Sequence, residues 1–317
     1  MRSDQPRFAT GRQRAIVVEE RRNPSTDFFV HPHVTAISGH APDLVRLDSP
    51  PAQAPPRDVW LVFTRYVTDA WRQWVARYRN RIAGVSFFMD DDLFDPASWA
   101  GLPWSYRWKL YRLAGRHQAW LQRIGAELLV STPYLAEKYA AWSPIVLPPM
   151  SPYPDRAGFD PDATRVFYHG SASHLAEHRW LRPVMGAVLE QVPAATFEVI
   201  GDRRAARAYA GLPRVSVVSP MGWEAYRAFV TRPGRAVGVA PLLPSRFNAA
   251  RSPTKLLDIT AAGAVGVYAN DPVYRDSVAD GVNGRLCPME PEAWVEAIVS
   301  LLEQPDARRA VWEAARS

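Results

Sequence analysis

The chain has 317 residues, 47% hydrophobic and 22% charged, with a formal net charge of +6 and one cysteine, Cys287. That length suits two domains of about 150 residues each, and a lone cysteine excludes an internal disulfide framework and fits a reducing compartment, the cytoplasm. No stretch approaches the roughly 18 apolar residues of a membrane span and no export signal opens the chain, while the positive field favours anionic partners.

The first predicted strand is Ala15–Val18, and Asn23-Pro24-Ser25-Thr26-Asp27 behind it reads as an Asx-type turn. Strands follow at Val59–Thr64, Ile82–Phe88 and Glu127–Ser131, each trailed by polar or helical sequence. Asp90-Asp91-Asp92 comes directly after the third of these. Three adjacent carboxylates at a strand end can assist deprotonation of a hydroxyl, hold a divalent cation, or N-cap the next segment. Ser105–Ile124 is predicted as one helix: Tyr106, Leu110, Leu113, His117, Trp120, Leu121 and Ile124 recur at helical steps, opposite Arg107, Lys109, Arg112, Arg116 and Arg123. Its apolar stripe is expected to pack on its own sheet, with contact to an anionic membrane surface as the alternative.

Between Leu147 and Pro161 five of fifteen residues are proline. This places a boundary there: a first domain over 1–150, a Pro-rich linker over 151–163 and a second domain over 164–317. The second half repeats the alternation, with strands Arg165–Tyr168, Thr196–Ile200, Arg214–Val218, Ala236–Ala240 and Val265–Tyr268. Helices are expected at Leu175–Val192, Trp223–Val230, Thr254–Ala262 and Glu292–Glu303. Strands alternating with helices in both halves predict two doubly wound α/β domains facing across a cleft. His174 and His178 flank Glu177 in an order unlike that of zinc hydrolases, so they are expected at the surface. No Walker loop, dinucleotide fingerprint or nucleophile elbow occurs, which excludes the usual kinase, dehydrogenase and serine-hydrolase machinery.

The most informative segment is Phe247–Asp271. Ser252 is a suitable N-cap, Pro253 and Thr254 suit a first turn, and Leu256-Leu257 opens a buried face. Free N–H groups at such a start bind phosphate oxygens, aided by the helix dipole. Arg251 and Lys255 add positive charge, and Asp258 is placed to accept hydrogen bonds from ribose hydroxyls.

Ser252-Pro253, Lys255, Asp258, Ala261-Ala262-Gly263 and the strand Val265–Tyr268 resemble the second half of the GT-B glycosyltransferases, particularly retaining family 4. The likeness continues through Asp280-Gly281-Val282-Asn283-Gly284, similar to that family's hairpin, and Glu290–Leu302, similar to its helix. It covers about the last 150 residues, one domain's worth. The resemblance implies transfer of a hexose-type sugar from a UDP- or GDP-linked donor to a glycan, lipid-linked or small-molecule acceptor. Retention, no cofactor and no metal are implied with it. Its expected donor ligands are Gly170, Gly201, Pro220, Met221, Asn248, Arg251, Ser252, Thr254, Lys255 and Asp258. Asp91, Asp92 and His169 are the expected catalytic groups, with the acceptor on the first domain. A peripheral contact with the inner face of an anionic membrane fits a lipid-linked acceptor. Nucleic acid is not expected, because the basic residues are dispersed.

Two departures stand out. Relatives carry a second glutamate where this chain has Ala250, so one sugar-facing carboxylate is missing. A Gly-Arg and later Lys clamp is replaced by Tyr168-His169-Gly170-Ser171-Ala172-Ser173-His174. They leave two other readings open, a non-catalytic nucleotide- or glycan-binding protein and a GT-A transferase holding a metal on Asp90–Asp92.

Overall fold

The computed structural model describes residues 14–170 and 175–316; Ser171–His174, part of the altered loop, lie outside the described residues. Contacts divide the chain into two units, one running to Pro152 and including Ser245–Ser252, the other holding Tyr153–Pro244 and Pro253–Ser317.

The first unit contains strands β1 (Ala15–Glu19), β2 (Asp43–Arg46), β3 (Val59–Thr64), β4 (Ile82–Met89), β5 (Glu127–Val130) and β6 (Ile145–Val146). They form one parallel sheet in the order β2-β1-β3-β4-β5-β6. Every residue of β1 and β3 is buried, as expected of parallel strands covered on both faces. Helices α1 (His31–Ser38), α2 (Asp69–Arg77), α3 (Trp104–Leu113), α4 (Gln118–Arg123) and α5 (Pro133–Lys138) lie between them. Trp71 of α2 meets Phe63 of β3 edge-on, with ring centroids 5.7 Å apart. Ala250, fully buried, belongs to this core, so Ser245–Ser252 packs with the first unit although it follows most of the second in sequence.

Where one helix was expected over Ser105–Ile124, α3 ends at Leu113, a 3-10 turn occupies Gly115–His117, and α4 follows. The Val67 N–H takes the Leu113 carbonyl at 2.8 Å, and Gly115 sits so near Trp99 that an added Cβ would lie 3.2 Å from its ring. Both divert the chain from the helical path. The predicted apolar stripe does face the core, with Leu110, Leu113, His117 and Leu121 buried. The Asx turn is present: Asn23 Oδ1 accepts from the Thr26 N–H at 3.0 Å, ahead of a π-helical turn over Thr26–Val30.

The second unit holds β7 (Arg165–Tyr168), β8 (Thr196–Ile200), β9 (Val215–Val218), β10 (Arg235–Ala240), β11 (Val265–Ala269) and β12 (Arg285–Cys287). Their order is β12-β11-β10-β7-β8-β9, again all parallel. Of the remaining helices, α6 (Leu175–Gln191), α7 (Arg203–Ala208), α8 (Trp223–Val230), α10 (Thr254–Ala261), α11 (Pro272–Arg275), α12 (Pro291–Glu303) and α13 (Pro305–Arg316) belong to this unit, and the short α9 (Arg246–Ala249) to the first. Gly238 of β10 lets α10 lie close on the sheet, since a Cβ there would fall 2.5 Å from Ile259. Asp280–Gly284 is a tight loop closed by Gly281 N–H on the Gly284 carbonyl at 2.8 Å. It is not a hairpin as expected: the chain leaves it as β12, parallel to β11. From Tyr153 onward the Pro-rich segment is bound to this unit: Ala157 N–H donates to the Ala261 carbonyl at 2.8 Å, and buried Arg308 holds the Asp160 and Pro161 carbonyls at 3.0 and 2.9 Å. His178, expected at the surface, is buried on α6 with Nδ1 3.1 Å from the Tyr209 hydroxyl.

Candidate active site

Doubly wound sheets bind ligands beyond the carboxyl ends of their strands, where the strand order reverses. In the second unit that point lies between β7 and β10. His169 and Gly170 follow β7, and Lys255, on the first turn of α10, donates its ammonium to the His169 carbonyl at 2.6 Å. The same ammonium lies 3.1 Å from Asp258 Oδ2. The helix start and its lysine are therefore held at the switch point.

The cap of α10 differs from expectation. The N-cap is Pro253 and no side chain caps the helix; the Ser252 hydroxyl is buried without a partner. With Pro253 interposed, Ser252 is one residue too far back to reach the first-turn amides. The amides of Thr254 and Lys255 thus keep the anion-binding character of an open helix start. Arg251 and Ser252, grouped with the first unit, carry two successive buried polar atoms that lack a partner, Arg251 Nε and Ser252 Oγ. Arg251 stacks over Phe247 at 5.3 Å, and Asn248 sits within α9.

Asp258 is only 5% exposed and already engaged. Its Oδ1 accepts from the Tyr153 hydroxyl at 2.5 Å, and burial together with this carboxylate pushes the Tyr153 phenol far upward. The Tyr226 hydroxyl, also bonded to Asp258, is raised well above its ordinary value, first by burial and then by the same carboxylate. The carboxylate expected to accept from a ribose hydroxyl is therefore already bonded to Tyr153.

His169 was expected to donate to a phosphate, but both ring nitrogens are used internally. Nε2 lies 3.1 Å from Glu198 and Nδ1 3.4 Å from the Tyr226 hydroxyl. Burial lowers the ring to about 4, so it is neutral at pH 7. What this residue presents is its carbonyl, which fixes Lys255. Glu198 also binds Arg235 Nε at 2.7 Å; burial opposes its charge, but bonds to His169 and Arg235 bring it down to about 2. Gly201 owes its lack of a side chain to α7, since a Cβ would lie 2.2 Å from Ala205. Gly170 turns under Tyr168, whose ring a Cβ would meet at 2.8 Å, and Pro220 and Met221 occupy the loop before α8, Pro220 exposed.

The first unit has its own switch point, between β1 and β3. Ser25 follows β1, Arg65 follows β3 and Asp90 and Asp91 follow β4. Arg65 bridges Asp90 directly, reaches Asp91 at 3.0 Å and donates to the Tyr106 hydroxyl at 3.1 Å. Ser25 Oγ donates to Asp90 at 2.5 Å. Burial would lower the guanidinium, but Asp90, Tyr66 and Asp91 hold it well above its usual value. The cluster sets one cation against two carboxyl groups, and burial with the neighbouring Asp91 raises Asp90. Arg65 adopts φ 68°, a left-handed conformation costly for a residue with a Cβ and often retained at functional sites.

Asp92, expected beside Asp91 as a catalytic group, points the other way and is fully buried. It takes Lys138, Ser98 and Tyr139, each at 2.5 Å. A bend over Asp90 and Asp91, just past β4, separates it from its neighbours, so the three carboxylates do not converge as an Asp-x-Asp metal reading requires. Nor does Asp92 cap the next turn over Pro96–Trp99, whose cap is Asp95. Among the described residues no group of three His, Cys, Asp or Glu is placed to hold a metal ion, and no helix is long and apolar enough to cross a membrane.

Sequence reasoning missed Tyr153, Tyr226, Glu198, Arg235 and Arg65. Glu198 stood inside a predicted strand and Arg235 directly before another, Ala236–Ala240, where a charge in a buried run is a usable signal. Nothing local marks the other three.

No family model matches the sequence, and no curated protein matches it. Solved structures do. Over 97% of this chain and 93% of that one, the fold superposes on a glycosyltransferase from Rickettsia africae with TM-score 0.58 at 11% identity. Sucrose-phosphate synthase from Thermosynechococcus elongatus gives TM-score 0.58 at 15% identity, covering 96% and 93%. HepE of Anabaena, solved with UDP and glucose, gives 0.54 at 11% identity, covering 96% and 94%. TarM matches with TM-score 0.57 at 10% identity over 82% of this chain, which spans about half of that protein, 51%. Likeness at these identities establishes fold, and the fold of this chain, two doubly wound six-stranded parallel sheets, is GT-B; the GT-A alternative is thereby overturned.

Proposed function

We propose that the chain transfers a hexose-type sugar from a nucleoside-diphosphate donor to a hydroxyl acceptor, with retention and without a metal. The observation that carries this reading is Lys255, fixed by the His169 carbonyl and Asp258 at the head of an uncapped helix on the second unit's switch point. That arrangement offers a preorganised positive end to a leaving diphosphate. As the anomeric carbon–oxygen bond breaks, its electron pair passes to the phosphate oxygen, and the helix amides and Lys255 meet the charge where it develops. The acceptor oxygen forms the new bond and its proton passes to a carboxylate or to the leaving phosphate. Asp91 and Asp90 are the carboxylates we assign to the acceptor. The base and ribose fall to Gly201, Pro220, Met221 and Asp258, and Asn248, Arg251, Ser252 and Thr254 complete the donor ligands. HepE and TarM, whose structures contain UDP, favour a uridine donor.

The test is a thermal-shift panel of UDP, GDP, ADP and TDP, followed by donor hydrolysis and transfer assays with and without EDTA. A nucleotide at 100 times its dissociation constant adds about 2.7 kcal/mol of stability. Failure of all four to shift the melting temperature refutes the donor site. A clear shift with no turnover across glycan and lipid-linked acceptors selects the binding-protein alternative, which Ala250 and the occupied Asp258 favour.

A further inference from the structure

The face of α3 turned away from the core is a second stripe, independent of the apolar one that anchors the helix. Trp104, Arg107, Trp108, Tyr111 and Arg112 stand at i, i+3, i+4, i+7 and i+8, which is one helix face. Trp104 is 74% exposed, Trp108 55% and Tyr111 48%. The Arg107 guanidinium lies over the Trp104 ring at 5.6 Å, and the Trp108 and Tyr111 rings are 5.7 Å apart. A helix needs no large aromatics on its solvent side to fold, so three side by side mark an interaction surface.

The charge around this stripe indicates its partner. From Pro96 to Ala126 the sequence has no Asp or Glu, against Arg107, Lys109, Arg112, Arg116 and Arg123. Lys109 is paired with Glu20 and Arg116 with Asp69, so on α3 itself the attraction rests on Arg107 and Arg112, with Arg123 on the following α4. Tryptophan and tyrosine beside arginines that have no carboxylate partner among the described residues form the pattern that settles at a bilayer's headgroup level, rings in the interface and cations on anionic lipid. Stacking on a neutral sugar would use the rings but not the arginines.

We propose that the Trp104–Arg112 face docks the protein on an anionic lipid bilayer. The proposal is independent of the donor-site reading and survives if that reading fails. The test is flotation of the full chain with vesicles of phosphatidylcholine alone and with 30% phosphatidylglycerol, at low and high salt. Wild type is expected to float with the anionic vesicles only, and less at high salt. Trp104→Ala/Trp108→Ala should weaken binding at least about tenfold. Arg107→Gln/Arg112→Gln should weaken it about 25-fold, the product of about fivefold for each cation at the surface. All four positions are solvent-facing or half-buried, and unchanged circular dichroism and melting temperature would confirm the fold. Failure of wild type to float with anionic vesicles, or variants that float like wild type, overturns the proposal. So does wild type that ignores vesicles but loses affinity for a soluble glycan in the tryptophan variant, which would make the face a sugar-stacking surface.

Discussion

Replacing Lys255 with alanine removes one ammonium and two charge-assisted hydrogen bonds, at 2.6 Å to the His169 carbonyl and 3.1 Å to Asp258. The side chain is 29% exposed, so its structural worth is that of a partly screened pair, about 1 kcal/mol. In a domain of this size that lowers the melting temperature by about 2–4 °C. The catalytic loss should be much larger. Preorganised donors that meet developing charge are each worth about 10²–10³ in rate, or about 2.7–4 kcal/mol. Donor turnover, followed by nucleotide release, should therefore fall by about that factor in Lys255→Ala. Lys255→Arg, which keeps the charge but not the compact geometry, should recover only part. The nucleotide-induced thermal shift should shrink in parallel. Wild-type kcat/KM for the donor in Lys255→Ala, with the fold intact, would refute the assignment of the α10 start to the leaving phosphate.

Asp92→Asn should destabilise the chain by about 1–3 kcal/mol in urea, because the Ser98 and Tyr139 hydroxyls lose a charged acceptor at a fully buried site while Lys138 keeps Asp95 at 2.5 Å, and the nucleotide-induced shift should stay unchanged. Arg65→Ala should cost about 3 kcal/mol by leaving Asp90 and Asp91 without their common cation, and adding Asp90→Asn should recover part of it; strictly additive energies would show that the pair is not coupled. Arg65→Gly should be about 1 kcal/mol less damaging than Arg65→Ala, since only glycine adopts φ 68° without strain. Acid should destabilise in two stages. His169 is neutral when folded, so its contribution, on the order of 3 kcal/mol, is present above its ordinary 6.5 and lost as pH falls toward about 4. Glu198 is charged when folded, so its share is present above 4.5 and lost as pH falls toward about 2. His169→Gln should remove the upper stage from a pH series of urea midpoints and leave the lower one.

Much of the fold was legible in one dimension. Val59–Thr64 is short, almost continuously apolar and bounded by turn residues, which marks a strand buried on both faces, and Thr196–Ile200 reads as a strand despite Glu198; both emerged with the predicted bounds. Proline before a helical stripe located α10 to within a residue, since a missing N–H costs nothing at a helix start. These are local properties of φ, periodicity and hydrogen-bonding capacity, which neighbouring residues decide among themselves.

The site was legible in outline only. Lys255 and Asp258 could be named because three residues on a helix bring side chains together whatever else the chain does. Which groups complete them was a matter of long-range packing: Tyr153 reaches Asp258 across 105 residues of sequence, Arg65 reaches Asp90 across 25, and His169 depends on Glu198 from the neighbouring strand. Asp91 and Asp92 look equivalent on paper, yet the bend that follows β4 sends one toward Arg65 and seals the other under Lys138 and Tyr139. The sequence by itself determined most of the strands, several of the helices and where α10 would start. Only the tertiary structure decided which charges are spent on the core and which remain for a ligand, because burial and partner distance are properties of the packed chain.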